Sequence, residues 1–207
     1  ISSATDIDIA GGQVTGKDIT FNSGGNIFIT SQQTTYVRDE QVNGFKENES
    51  IVEYFGSKLT AEDSISLLAS GQVVINASDV FADKGVLSIL AQQGVHIANA
   101  DNKFQSSRDG KFGKTSIQES EFQSIAIRSA LRAGRNVMIS SSMGDITLKA
   151  TKIDSVDGTS VNAMYGKVHL LLAKEQDHYF FNKVKKGFWK IKTETKQDKV
   201  DTACLLY

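Results

Sequence analysis

The sequence has no proline in 207 residues, one cysteine, and charges that cancel to −1. At average usage of about 5 %, roughly ten prolines belong in such a chain. Their absence fits a backbone whose N–H groups are committed to sheet ladders, where proline is confined to edges and bulges. The lone Cys204 excludes an internal disulfide framework and a cysteine-based zinc site. The charge balance excludes general attraction to nucleic acid or anionic lipid, because affinity for polyphosphate is built from excess Lys and Arg. Any basic contact has to be local. No run of eighteen apolar residues occurs, so no spanning helix is expected. The chain opens on Ile1 with no charged and apolar leader, and it reads as an internal piece of something longer.

What is present is the composition of a folded protein, 40 % hydrophobic and 23 % charged. The apolar residues come in short alternating beats, the mark of strands with one buried face. They stand at "IDI" 7–9, "ITF" 19–21, "IFI" 27–29, "ISL" 65–67, "VVI" 73–75, "VLSIL" 86–90, "VHI" 95–97, "VMI" 137–139, "ITL" 146–148, "VNA" 161–163 and "VHL" 168–170. Two or three such strands make a unit of about 20 residues. Strands this short cannot bury their apolar face alone, so the period points to a β-solenoid whose coils bury each other's inward side chains. Gly, Asn26, Asp63, Asn136 and Asp145 precede strands and are read as corner residues that bond turn backbone.

A longer period is superimposed. "SKLTAEDSISLLASGQVVINASDVFADKG", 57–85, aligns with "SALRAGRNVMISSSMGDITLKATKIDSVDG", 129–158, with Ser57 on Ser129 and, after one inserted residue, Gly71 on Gly144. The solenoid is therefore expected at 1–31, 57–99 and 129–173. Between these blocks lie 32–56, 100–128 and 174–201, each a polar run with a Gly near a Phe: Gly44-Phe45, Gly110-Lys111-Phe112 and Gly187-Phe188. Each is expected to be a hairpin that leaves the solenoid wall, with those glycines at the turns. A helix over 116–133 is the alternative for the second, disfavoured by its β-branched content. Residues 202–207, "TACLLY", do not fit the repeat and are expected to be an atypical tail.

Residues 132–153, "RAGRNVMISSSMGDITLKATKI", followed by "GKVHLLLA" and a polar hairpin segment, resemble the haemagglutinin repeats of filamentous haemagglutinin-type exoproteins, including the stalks of contact-dependent growth-inhibition proteins. The resemblance implies an all-β fold, a right-handed parallel β-helix with protruding hairpins. It also implies export by a two-partner system through an outer-membrane transporter, and a place at the bacterial cell surface or in the secreted fraction. The role it implies is non-enzymatic: a shaft for attachment to a host or neighbouring cell, or for presenting a toxin to it. A membrane-associated delivery segment is a second reading.

His96 and His169 occupy equivalent repeat positions and read as wall residues several coils apart, too far to share a proton. Glu175, Asp177 and His178 offer three ligand types without a fourth, a weak metal pattern. Parallel β-helices also host polysaccharide-acting enzymes with paired carboxylates. Asp6, Asp8, Asp79, Asp83, Asp154 and Asp157, however, form no clustered motif, and most fall at repeat corners. No catalytic residue, metal or cofactor is therefore expected. The segment "YFFNKVKKGFWKIK", 179–192, interleaves aromatics with lysines, a pattern that serves a membrane, glycan or protein interface. It also suits a hairpin whose aromatics pack down while its lysines face water. The candidate interface is Phe180, Phe181, Lys185, Lys186, Phe188 and Trp189, with no nucleic-acid partner expected.

Overall fold

The alternating beats become the walls of a parallel β-helix. The structure, a computed structural model, describes residues 1–204. Among them the chain winds through six coils. The first holds β1 (Ser2–Ser3), β2 (Ile7–Ala10) and β3 (Gln13–Gly16). The second holds β4 (Ile19–Ser23) and β5 (Ile27–Thr30), then leaves the wall as the hairpin β6 (Gln32–Val42) and β7 (Phe45–Phe55), and closes with β8 (Lys58–Ala61). The third is plain: β9 (Ile65–Ala69), β10 (Gln72–Asn76), β11 (Asp79–Ala82). The fourth has β12 (Leu87–Ala91), β13 (Gly94–Ala98), the hairpin β14 (Ala100–Phe112) and β15 (Thr115–Ile127), and β16 (Ser129–Ala133). The fifth is plain again, with β17 (Asn136–Ser141), β18 (Ile146–Lys149) and β19 (Thr151–Ser155). The sixth has β20 (Gly158–Ala163), β21 (Val168–Leu171) and the hairpin β22 (Ala173–Lys186) and β23 (Ile191–Cys204).

Three parallel sheets form the walls, in the orders β1-β4-β9-β12-β17-β20, β2-β5-β10-β13-β18-β21 and β3-β8-β11-β16-β19. A plain coil advances 22 residues, as Ile65 pairing with Leu87 shows. A hairpin coil is longer, Leu87 pairing with Val137. The long period in the sequence is therefore one plain coil plus one hairpin coil. The strand reading of 116–133, and not the helical alternative, holds: those residues lie in β15 and β16.

Inward positions stack in register. Phe21, Leu67, Ile89 and Ile139 line one wall and Ile29, Ile75, Ile97 and Leu148 the next, each at most 3 % exposed. The third wall carries Leu59/Ala61, Val80/Ala82 and Leu131/Ala133. Each of these three strands points one large residue and one alanine inward. The alanines hide this wall from hydrophobic periodicity, which registers only the large member of each pair.

The corner before the third wall carries a buried hydroxyl ladder. Ser57, Ser78, Ser129 and Thr151 lie in successive coils, each at most 2 % exposed. The Gly12 N–H donates to Ser57 Oγ at 3.2 Å, the Ser57 N–H to Ser78 Oγ at 3.0 Å, and the Ser78 N–H to Ser129 Oγ at 3.3 Å. Each serine hydroxyl passes its own proton to a carbonyl: Ser57 to Thr30, Ser78 to Asn76, Ser129 to Ala98. The hairpins enter at this same corner. In the plain coils the corner residue instead takes a left-handed conformation, Ala77 at φ 45° and Ala150 at φ 44°. One corner thus accepts either a single αL residue or a hairpin of more than twenty residues, because the hydroxyl ladder satisfies the backbone on its far side in both cases.

Other corner side chains also bond between coils, where the sequence pointed to local turn bonds. Asn26 Oδ1 accepts the Gln72 N–H at 2.8 Å and Asp145 Oδ1 the Lys167 N–H at 2.7 Å. Asp63 instead faces Lys17 at 3.8 Å.

Candidate functional site

The three hairpins do not project singly. They pair sideways into one antiparallel six-stranded sheet, β23-β22-β15-β14-β7-β6, laid along the shaft. β7 pairs with β14 from Lys103↔Val52 to Gly110↔Phe45, and β15 with β22 from Ser124↔Gln176 to Thr115↔Lys185. At the root of each seam, where the ladder stops, a side chain replaces it. Asn102 Oδ1 accepts the Tyr54 N–H at 2.8 Å, and Glu175 Oε1 accepts the Ala126 N–H at 3.2 Å. Buried Ala126, Ala150 and Ala173 pack together beneath the second seam.

The returning strand β23 runs to Cys204, so residues 202–204, read with the tail, continue the hairpin; residues 205–207 lie outside the described residues. The turn positions also need correction at the second hairpin. Gly44 (φ 81°), beside Asn43 (φ 50°), makes the first turn, whereas the second is made at Gly113 (φ 57°) and not at Gly110. Gly110 sits within β14 for another reason. A Cβ there would lie 2.6 Å from the Cα of Phe45 and 2.7 Å from its ring, so only glycine lets Phe45 of the neighbouring hairpin lie across β14.

Because side chains alternate faces along a strand, the register assigns each residue a side. One face carries the rows Arg38–Glu49–Ser106–Glu121–Tyr179–Asp198 and Glu40–Glu47–Arg108–Glu119–Phe181–Lys196. Arg108 Nε meets Glu47 at 3.1 Å, and the Tyr179 hydroxyl donates to Glu119 at 2.9 Å. That bond, with burial and the Glu119 charge, pushes the Tyr179 phenol above its ordinary range. Towards the tips the same face turns basic and apolar: Phe45, Ile117, Lys183, then Phe112, Thr115, Lys185 and Lys192. The opposite face carries Phe122 against His178, whose Nε2 lies 3.0 Å from Asp201.

The six candidate interface residues are not one patch. Phe180 and Phe181 are half-buried and lie on opposite faces, well below the tip. Lys185 and Lys186 also alternate. Phe188 and Trp189 cap the third hairpin, 84 % and 89 % exposed, with their rings edge to face at 5.2 Å. What the sheet brings to Lys185 is Phe45, Phe112 and Arg108 from the first and second hairpins. Only the lateral pairing reveals these, although the recurring Gly-Phe pairs were their trace in the sequence.

The remaining candidates separate. His96 and His169 flank Thr147 in one outward column, two coils apart rather than several, about 10 Å at sheet spacing. His169 faces Asp145 at 3.3 Å. Glu175 and Asp177 lie on the other side of β22 from His178, and Glu175 is held by the seam. Among the described residues no three His, Cys, Asp or Glu side chains come together in a way that would hold a metal ion. On the shaft, burial raises the Asp79 carboxyl above its ordinary range despite nearby Lys58.

Neither the curated proteins nor the solved structures yield a match to this chain. A family model, hemagglutinin repeat, matches residues 1–45 and 110–192. Its second segment runs from the tip of the second hairpin to the tip of the third, so it takes in one plain coil with the hairpin strands on either side, the same unit that sets the long period. With more than half of its residues matched and its coils in that rhythm, the chain belongs to the hemagglutinin repeat family.

Proposed function

We propose that the chain is a shaft segment of a large secreted bacterial exoprotein of the adhesin type, with the hairpin sheet as the part that meets a cell surface. Family membership supports the adhesin-type shaft. The observation that carries the contact role is the Phe188–Trp189 pair, two large aromatics almost fully exposed at the turn between β22 and β23. Lys186 and Lys190 flank the pair. Exposed aromatics beside cations are what a membrane or protein contact uses, since they bury apolar area while the lysines find counter-charges.

Export through an outer-membrane two-partner transporter belongs to the same reading. Parallel coils can form one on another as the chain emerges, each templated by the last. The test is binding of the purified chain to whole bacterial or host cells. Phe188→Ala with Trp189→Ala is expected to reduce binding about tenfold or more while leaving the melting curve unchanged. Undiminished binding would remove the contact role. Attachment and toxin presentation are told apart by the open reading frame around the segment, a toxin domain downstream marking the second. Degradation of acidic polysaccharides by the chain would instead revive the enzymatic reading.

A further inference from the structure

The tip of the sheet holds a groove of about 620 Å³, within the range of small-molecule sites. Its base is apolar: Phe45, only 7 % exposed although it lies beside a hairpin turn, with Ile117 and the 69 % exposed Phe112. Its rim is cationic: Arg108 from the second hairpin and Lys183 and Lys185 from the third. Among the described residues no carboxylate lines it. The base is built rather than incidental, because Gly110 is the residue that lets Phe45 lie across its neighbour's strand. Arg108 is set by two contacts: its guanidinium carbon lies 4.6 Å from the centre of the Phe45 ring and its Nε is held by Glu47 at 3.1 Å. Among the described residues, neither Lys183 nor Lys185 has a carboxylate within 4 Å; Glu194, paired across the strand from Lys183, forms no such contact.

We infer that this groove binds a phosphate-bearing amphiphile, its anionic head among Arg108, Lys183 and Lys185 and its apolar portion on Phe45, Phe112 and Ile117. An inorganic anion would leave Ile117 and the exposed Phe112 uncovered, and a neutral alkyl chain would leave Lys183 and Lys185 without a partner. A phosphomonoester carries about −1.5 to −2 charges at pH 7 and three acceptor oxygens, matching the two unpaired lysines and the remaining N–H groups of Arg108 better than a single carboxylate does. Arginine suits the head group because its planar fork, set over the Phe45 ring, meets phosphate oxygens in pairs. The inference does not depend on cell attachment, since the groove and the Phe188–Trp189 pair share no residue.

The probe is decyl phosphate below its micellar concentration, titrated calorimetrically into the intact chain. Inorganic phosphate, decyl maltoside, phosphatidylglycerol vesicles and a short oligoglutamate peptide are run alongside. Saturable decyl phosphate binding is expected, weakened about tenfold or more by Lys183→Gln with Lys185→Gln and unchanged by Phe188→Ala with Trp189→Ala. Both lysines lie on the sheet surface, so the double variant is expected to fold; an unchanged melting curve checks this. Gly110→Ala, which displaces Phe45, should weaken decyl phosphate binding without altering the lysines. Vesicle binding that follows the same lysine dependence would identify a lipid head group as the source of the phosphate. Equal affinity for inorganic phosphate or decyl maltoside, tighter binding of oligoglutamate, or indifference to the lysine substitutions would each overturn the inference.

Discussion

In the shaft, Leu67, Ile89 and Ile139 stack one above another and none is more than 1 % exposed; in the hairpin sheet Val37, Ile125 and Val200 are 62 %, 44 % and 57 % exposed. Both regions are continuous β-structure of the same chain. The shaft encloses an interior between three walls, so every inward side chain leaves water. The sheet is a single layer with two wet faces, held by backbone ladders, cross-strand pairs and its roots in the hydroxyl corner. Burial at roughly 25 cal/mol per Å² of apolar surface makes the shaft the source of stability. The sheet is folded because its strands are delivered side by side by coils already in place.

The largest test of that difference is truncation in each region. Ile89→Ala leaves a void between Leu67 and Ile139 and is expected to cost about 2–5 kcal/mol in urea unfolding. Val37→Ala, on the edge strand β6, should fall within about 0.5 kcal/mol. Comparable losses at both positions would mean that the sheet has a buried face of its own and that the contrast is false.

A step smaller is Ser78→Ala. The hydroxyl both accepts the Ser57 N–H and donates to the Asn76 carbonyl, so its removal strands a buried donor. The expected loss is about 1–3 kcal/mol. Ser78→Thr, which keeps the hydroxyl and follows Thr151 of the same ladder, should recover most of it. If alanine is neutral, the corner does not depend on the ladder and the hairpins are rooted elsewhere.

How much of this was legible in the sequence follows the same divide. Two of the three shaft walls could be read directly, because Ile, Val and Leu alternate with polar residues at a fixed spacing. The third was not, since Ala61, Ala82 and Ala133 face inward yet carry little hydrophobic signal. The hairpins could be seen as polar interruptions, but their lateral pairing could not: it depends on which coils they leave from, and no residue pattern within one hairpin states its neighbour. The groove at the tip was hidden for that reason. Phe45, Arg108 and Lys185 are far apart in the chain and meet only through two seams. In sequence Gly110 reads as a turn, as a glycine before an aromatic does; its role in the structure, making room for the next hairpin's ring, requires the partner to be known.

The seams offer a more modest test. Asn102→Ala removes the acceptor for the Tyr54 N–H at the root of the first seam. Because the bond is only partly buried, the expected cost is about 0.5–1.5 kcal/mol. The change should appear as faster amide exchange along β7 and β14 with β12 and β13 unaffected. Exchange that quickens equally in shaft and sheet would mean that the two unfold as one unit.

The smallest effect concerns pH and sets one carboxylate of the shaft against one of the sheet. Asp145 is held below its ordinary value of 3.8, first by the Lys167 N–H bonded to its side chain and then by His169. Asp201 is held low chiefly by His178, with Lys199 and Gln176 adding to it. A carboxyl with a depressed folded-state pKa contributes stability that is full above the ordinary value and lost as the pH falls through the depressed one. Both contributions should therefore disappear only on acidification below the usual aspartate range. The consequences differ because Asp145 latches the backbone of the next coil, whereas Asp201 bonds only side chains. Protection of the Lys167 amide is expected to fall in that window, and Asp145→Asn, which keeps an acceptor but does not titrate, should flatten the profile. Amides of β23 around Asp201 should show no matching step. A step at β23 as large as that at Lys167 would mean that side-chain pairs hold the sheet as firmly as backbone latches hold the shaft.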